Sequence, residues 1–468
     1  PMDERGLEEA LRKMRKANLP AAACASFERA WHQAVSGDAG LIPEATIEPA
    51  EGIPAMDEVA ATAADPALFD KLCVIKLNGG LGTSMGLDKA KSLIPVKDGL
   101  TFLDFIARQI LWIRQRHETR GPRFLLMDSF STSADTLGHL SRYPDLSHGA
   151  PLDFLQNKVP KLRAADLHPV EWPRDPELEW CPPGHGDLYP SLLGSGWLDR
   201  LAADGIEYLF VSNSDNLGAT ADAGLLAYFA QSGLSFLMEV AERTPSDRKG
   251  GHLARRKSDG RLVLREVAQC PEADTASFQD IARHRYFNTN TLWLRVADLR
   301  AALAEHGGAL PLPLIKNTKT VDPRDAASAK VLQLETAMGA AIECFPESGA
   351  VLVPRTRFAP VKTTSDLLAL RSDAYTVTDD QRLELVPERN GVPPEVVLED
   401  RYYKSLAGLE AGFGKSAPSL RHCTHLRVTG PWRFEDGVTC EGSVKFTHAG
   451  ARPAVARAGI YRDVAAQA

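Results

Sequence analysis

Leu72-Cys73-Val74-Ile75-Lys76-Leu77-Asn78-Gly79-Gly80-Leu81-Gly82-Thr83-Ser84-Met85-Gly86 decides how this chain is read. Leu72–Leu77 is a short apolar run interrupted by one lysine, the pattern of a strand buried on both faces. It runs straight into four glycines within the eight residues 79–86. Without a Cβ, such a loop lets backbone N–H groups close on phosphate oxygens. In open α/β sheets ligands sit at the carboxyl ends of strands, which is where this loop falls. Two familiar phosphate loops fail on spacing. The Walker form needs a second glycine where Met85 follows Gly80 and Leu87 follows Gly82, and the dinucleotide fingerprint fails at Met85, where its third glycine belongs. Lys91, nine residues after Gly82, is placed to fold back over bound phosphates as a compact charge; spacing alone does not choose between it and Lys89.

Downstream of the loop, apolar runs alternate with amphipathic stretches. Thr101–His117 is a helix with Phe102, Phe105, Ile106, Ile110 and Ile113 on one face. Strands are predicted at Phe124–Met127, Leu152–Leu155, Tyr208–Val211, Leu234–Val240, Leu262–Val267 and Leu292–Val296. This alternation predicts an α/β fold, a Rossmann-like, mixed and mostly parallel sheet over residues 71–375. Upstream, residues 1–70 form a separate segment. Helices over 6–36 carry Leu7, Ala10, Leu11 and Met14, then Phe27, Ala30, Trp31 and Ala34, at helical spacing, and 37–66 reads as a wandering linker rich in Pro, Gly and Ala. Residues 376–468 form a third part. It is polar and Pro-rich to about 400, then shows short alternating apolar pairs between glycine turns over 424–446, which predicts a small β-solenoid-like tail.

Bulk properties narrow the function. Of 468 residues, 44% are hydrophobic and 25% charged, an ordinary globular balance with a net charge of −7. A mildly acidic chain is a poor binder of nucleic acid or of membrane surfaces, so anion binding must rely on local groups. The seven cysteines (24, 73, 181, 270, 344, 423 and 440) form no C-x-x-C pair, which fits a reducing compartment and predicts a cytoplasmic protein. No apolar run is long enough for a membrane span, and Met2-Asp3-Glu4-Arg5 does not resemble a secretory signal.

At the glycine loop the residues match a family. Lys76–Lys91, followed by Ser92-Leu93-Ile94-Pro95-Val96, resembles the signature of the eukaryotic-type UTP–glucose-1-phosphate uridylyltransferases. Six further stretches follow in the family's order across 70–375. They are Cys181–Ser191 (CPPGHGDLYPS), Val211–Ala219 (VSNSDNLGA), Lys249–Gly251 with Glu266, Phe287–Asn290, Gln333–Thr336 and Arg357–Asp366 (RFAPVKTTSD). Ser84 stands where the wider nucleotidyltransferase superfamily has Arg, as in uridylyltransferases of this type. Ala90 stands where Pro is usual, a departure expected to loosen how Lys91 is held.

The resemblance implies a nucleotidyltransferase core and a magnesium-dependent, reversible reaction. A glucose 1-phosphate oxygen attacks the α-phosphorus of UTP in line with departing pyrophosphate, giving UDP-glucose. It implies nucleotide contacts from Leu77, Asn78, Gly79, Gly80, Gly82, Thr83, Gln156, Gly184 and Asn213, with the Gln156 amide able to donate to and accept from the uracil edge. It implies sugar-phosphate contacts from His185, Asp215, Gly251, Glu266, Asn288 and Asn290, and catalytic lysines at Lys91 and Lys362. Asp215 is the implied magnesium ligand; a carboxylate at a strand's C-terminal end suits that ion, and the alternative is an Asp capping the helix predicted from Ala221 onward. His185 is not needed as a base, because a sugar phosphate is already anionic at neutral pH. Two alternatives stay open: a UDP-sugar pyrophosphorylase of broader or different sugar range, against which Thr83-Ser84 speaks, and a silent nucleotide-sugar-binding homologue. The tail leaves open a monomer or a homo-oligomer joined through it.

Overall fold

A computed structural model describes residues 4–37, 40–61, 63–415 and 417–467. Its centre is a mixed sheet of ten strands. On one side Asp153–Leu155, Arg123–Asp128, Leu72–Asn78 and Tyr208–Asn213 lie parallel, in that order. Their register puts Leu155 beside Asp128, Asp128 beside Asn78, and Leu77 beside Asn213, so four strand ends share one edge. Beyond Tyr208–Asn213 the hydrogen bonding turns antiparallel, with Tyr286–Arg295 next and Phe236–Glu242 paired to it. Ser348–Leu352 then pairs parallel to Phe236–Glu242. The far end of Tyr286–Arg295 meets His252–Arg256, which carries Leu262–Arg265 and Ile47–Pro49. The parallel run therefore holds the glycine loop, and the antiparallel extension opens from its side.

Alternate residues of the central strands enter opposite layers. Val74, Leu126 and Phe210 pack with Phe102, Phe105 and Ile106, whereas Cys73, Ile75, Leu125 and Leu209 pack with Leu188, Leu192 and Leu198. Burial on both faces is why these strands read as continuous apolar runs. The helix Phe102–His117 starts where predicted because Thr101 and Asp104 form a reciprocal capping box, worth about 1 kcal/mol.

The N-terminal helices Arg5–Lys16 and Ala21–Ser36 bury Leu7, Met14, Phe27 and Trp31 against Val159, Leu162, Leu314 and Leu334. Within the predicted 37–66 linker, residues 42–50 pack firmly. Ile47 is fully buried, its strand extends the sheet edge, and the Glu44 carboxylate accepts from Arg265, Arg283 and His284. After residue 376, Glu395–Leu398, Ser419–Thr429, Val438–Thr447 and Gly459–Arg462 pair in parallel, one on the next. Leu398, Leu426, Val428, Val444 and Phe446 share one apolar cluster with the layer under Leu72–Asn78. Among the described residues no helix is long and apolar enough to cross a membrane.

Candidate active site

The glycine loop folds back on itself. Gly82 N–H donates to Lys89 O at 2.9 Å and Lys91 N–H to Gly80 O at 3.1 Å, with Leu81 and Ala90 bridged between them. This narrow return, not the linear spacing, carries Lys91 to the strand edge. Ala90 has φ −53°, close to the value a proline ring imposes, and the two bonds use the Lys89 carbonyl and the Lys91 N–H on either side of it, not its own N–H. The backbone here is thus held without the usual proline. Thr83 opens an exposed turn at the tip. Asn78, expected at the nucleotide, is 2% exposed; its amide donates to Asp128 Oδ1 at 2.6 Å and to Thr136 Oγ1 at 3.0 Å and accepts from Ser92. Its side chain braces the loop from inside and leaves only backbone for a ligand.

Asp215 stands one strand over, just past Tyr208–Asn213. Its Oδ2 accepts from Lys91 Nζ at 2.6 Å, and both side chains are about one-fifth exposed. Lys89 has an exposed side chain, so the structure separates the two lysines that spacing left equal. The helix-cap alternative for Asp215 falls to its neighbour. Asp222 accepts from Leu225 N–H at 2.8 Å and caps Ala223–Ser232. The other oxygen of Asp215, Oδ1, is buried with no hydrogen-bond partner, an acceptor left over for a cation. Magnesium takes one or two protein carboxylates and completes its shell with phosphate oxygens and water, so this single carboxylate fits it. Val361 N–H lies 3.4 Å from Asp215 O, and the next residue is the exposed Lys362. The Lys91–Asp215 pair and the backbone leading into Lys362 thus lie side by side.

The residues expected at the nucleotide base are joined by close backbone contacts. Gln156 N–H donates to Asp128 O at 2.7 Å, extending the parallel edge, and its amide faces Gly79 so closely that a Cβ there would lie 2.4 Å from Oε1. Asp187 fixes the adjoining loop, accepting from Asn157 N–H at 2.6 Å, Asn157 Nδ2 at 2.9 Å and Ser191 Oγ at 2.6 Å. Burial raises the Asp187 carboxyl to about 6. Gly184 has φ +79° and lies against Thr336, whose carbonyl oxygen would be 2.4 Å from an added Cβ. His185 Nδ1 accepts from Met338 N–H at 3.0 Å, and burial lowers the ring to about 4. A neutral ring that accepts through Nδ1 carries its proton on Nε2, so the ring has a donor to offer and no lone pair left to act as a base.

The residues expected at the sugar form two close pairs. Gly251 and Glu266 end the paired strands His252–Arg256 and Leu262–Arg265, and a Cβ on Gly251 would come within 2.4 Å of Glu266 Oε2. Burial raises the Glu266 carboxyl above its usual range. Opposite Glu239 and Val240 the strand slips its register, and Asn290 takes φ +62°. The slip lets Asn288 Oδ1 accept from Asn290 N–H at 2.8 Å. Asn288 and Asn290 thus stand together, half-buried.

A buried polar layer beneath the site escaped the sequence reading. Lys76 Nζ donates to Ser212 Oγ at 2.7 Å and to Ala219 O at 2.6 Å. Burial, with Arg357 nearby, lowers its pKa to about 7. Arg357 binds Glu239 through two bonds of 2.8 Å, and Trp293 Nε1 donates to Glu239 at 3.0 Å. The signal was available, since a lysine inside an apolar strand and a glutamate in Phe236–Glu242 must find partners.

Comparison with known proteins agrees with this geometry. The family model described as UTP--glucose-1-phosphate uridylyltransferase matches residues 25–441. A UTP--glucose-1-phosphate uridylyltransferase of Solanum tuberosum is 42% identical over 394 residues, 83% of this chain and 80% of that protein. A mutant UDP-glucose pyrophosphorylase from Leishmania major, solved in complex with UDP-glucose, is 46% identical with a TM-score of 0.91 and 99% of each chain covered. The UDP-glucose phosphorylase structure from Trypanosoma brucei is 46% identical with a TM-score of 0.89, again over 99% of both chains. A glycine loop, a lysine–aspartate pair and a family match spanning most of the sequence agree: the chain belongs to the UTP–glucose-1-phosphate uridylyltransferase family.

Proposed function

We propose that this protein makes UDP-glucose and pyrophosphate from UTP and glucose 1-phosphate. The observation that carries the reading is the Lys91–Asp215 pair, tied to the Gly79–Gly82 backbone through Gly80 and to the strap of Lys362 through Val361. A sugar phosphate oxygen forms a bond to the α-phosphorus of UTP while the bond to the β-phosphate oxygen breaks. The nucleophile is already an anion, consistent with a His185 whose Nδ1 lone pair is taken up by Met338 N–H. The protein's part is positioning and charge. Lys362 neutralises the α-phosphate and the incoming phosphate, Lys91 steadies the pyrophosphate, and Gln156, with the Gly184 loop, holds the base. Glu266, Asn288 and Asn290 meet the sugar hydroxyls. Asp215 would hold magnesium, which when bound would supply charge neutralisation on phosphate oxygens. Seven free cysteines fit a reducing, cytoplasmic setting.

The test is pyrophosphate release from UTP, glucose 1-phosphate and magnesium by the purified protein, run beside galactose 1-phosphate and N-acetylglucosamine 1-phosphate. Fastest turnover with glucose 1-phosphate is expected. Binding of UDP-glucose without pyrophosphate release would identify a silent homologue, and a faster rival sugar would reassign the substrate.

A further inference from the structure

We propose that Asn216 and Arg357 are positioning residues that set the spacing between Asp215 and Lys362, an inference that rests on the catalytic roles given to those two groups above. Lys362 lies on a strap that crosses the chain carrying Asp215. The two backbones touch at Gly218, where an added Cβ would come within 2.3 Å of Thr356 O. Asn216, 2% exposed, ties the crossing with one amide: Nδ2 donates to Arg357 O at 3.0 Å, and Oδ1 accepts from Ala359 N–H at 3.1 Å. Arg357, 6% exposed, anchors the same point to the sheet through Glu239 and to Thr220 O at 2.9 Å. On the far side, Lys362 N–H and Thr363 N–H donate to Asp366 at 2.9 and 2.8 Å, the cap of the helix Thr364–Arg371.

The strap is thus pinned on both sides of an exposed lysine. Asn216 and Arg357 are buried behind it, so they act through Lys362 and not on substrate. Both hydrogen bonds of Asn216 fall on backbone groups, so they fix where the strap runs whichever side chains it carries. In a reaction driven by positioning and charge, a displacement of about 1 Å costs on the order of 100-fold in rate.

The test is a double-mutant cycle on the full chain. Asn216→Ala removes both bonds; Asn216→Asp keeps the acceptor for Ala359 and loses the donor. Asn216→Ala should lower kcat about 100-fold, and Asn216→Asp by less, with UTP binding at equilibrium retained. In a Lys362→Ala background, Asn216→Ala should cost less than about 3-fold more, because the group it places is gone. Equal losses in both backgrounds, or an unchanged kcat in Asn216→Ala, would overturn this inference alone. An undiminished kcat in Lys362→Ala would overturn the catalytic reading and this one with it. If Asn216→Ala does not fold, Asn216→Asp carries the same cycle.

Discussion

The residues proposed for the phosphates sit on loops leaving parallel strands; those proposed for the sugar sit within or at the ends of antiparallel strands. The first arrangement depends on contacts between distant segments. Lys91 meets Asp215 across 124 residues of sequence, and Asn216 meets Arg357 across 141. The second is set locally: Asn288 and Asn290 are two residues apart, and Gly251 faces Glu266 because their strands pair directly. Parallel strands need long crossovers, so their ends gather residues from remote parts of the chain, whereas antiparallel neighbours come as pairs. One side can therefore bring several charges to one point. The other can hold a fixed surface of amides and a carboxylate for hydroxyls.

If this division is right, damage on the phosphate side falls on turnover and damage on the sugar side falls on sugar affinity. Lys362→Ala should lower kcat by roughly 100-fold or more with little change in KM for UTP, as removal of a charge stabiliser does. Steady-state kinetics showing a raised KM at normal kcat would place Lys362 in ground-state binding instead. Asp215→Asn should leave a residual rate that no longer climbs with added magnesium; a normal magnesium titration would remove Asp215 from the metal site. Two glycines sharpen the contrast. Gly79→Ala pushes on Gln156 and should raise KM for UTP, whereas Gly251→Ala pushes on Glu266 and should raise KM for glucose 1-phosphate, each by about 10-fold and each sparing the other substrate. A variant that moves both constants together would show the two sides to be coupled.

A smaller effect belongs to His185. Its ring is neutral down to about pH 4, whereas an exposed histidine takes a proton near 6.5. Between these values the unfolded chain binds the extra proton, so stability falls as pH drops through that window. His185→Gln should flatten this slope in urea unfolding between pH 5 and 7 and add or remove no limb in the pH–kcat profile over pH 6–8. A limb near 6.5 that disappears in the variant would mean that His185 titrates during turnover. The smallest effect is Ala90→Pro. With φ already −53° and no ladder bond to lose, it should stabilise the protein by about 0.5 kcal/mol with kcat unchanged. Loss of activity would mean that the loop needs freedom at Ala90.

Much of this was legible in the sequence. The first core strand, the glycine turn, the capped helix from Phe102 and the strand ending near Asp215 each carry a short-range pattern, whether buried runs, a missing Cβ or a Thr–Asp box. Among the residues that the family motifs named, the structure joins Gly80, Lys91 and Asp215 by direct bonds. Less legible were three short strands beyond the parallel run, although Phe236–Glu242, Leu262–Arg265 and Tyr286–Arg295 beside them answer to predicted runs. Ser348–Leu352 and His252–Arg256 are short, and Ile47–Pro49 lies in a stretch rich in Pro, Gly and Ala.

The sequence by itself determined that a buried strand feeds a glycine-lined turn, and that lysines and an aspartate follow it in a family's order. Only the tertiary structure decided that Lys91 and not Lys89 faces Asp215, that Asp222 and not Asp215 caps the next helix, that Asn78 turns inward, and that Asn216 ties down the strap bearing Lys362. The reason is physical. Periodicity and turn chemistry act over a few neighbouring residues and are written in the chain, whereas these choices depend on which strand ends the sheet register brings together and on which buried polar groups must then find partners.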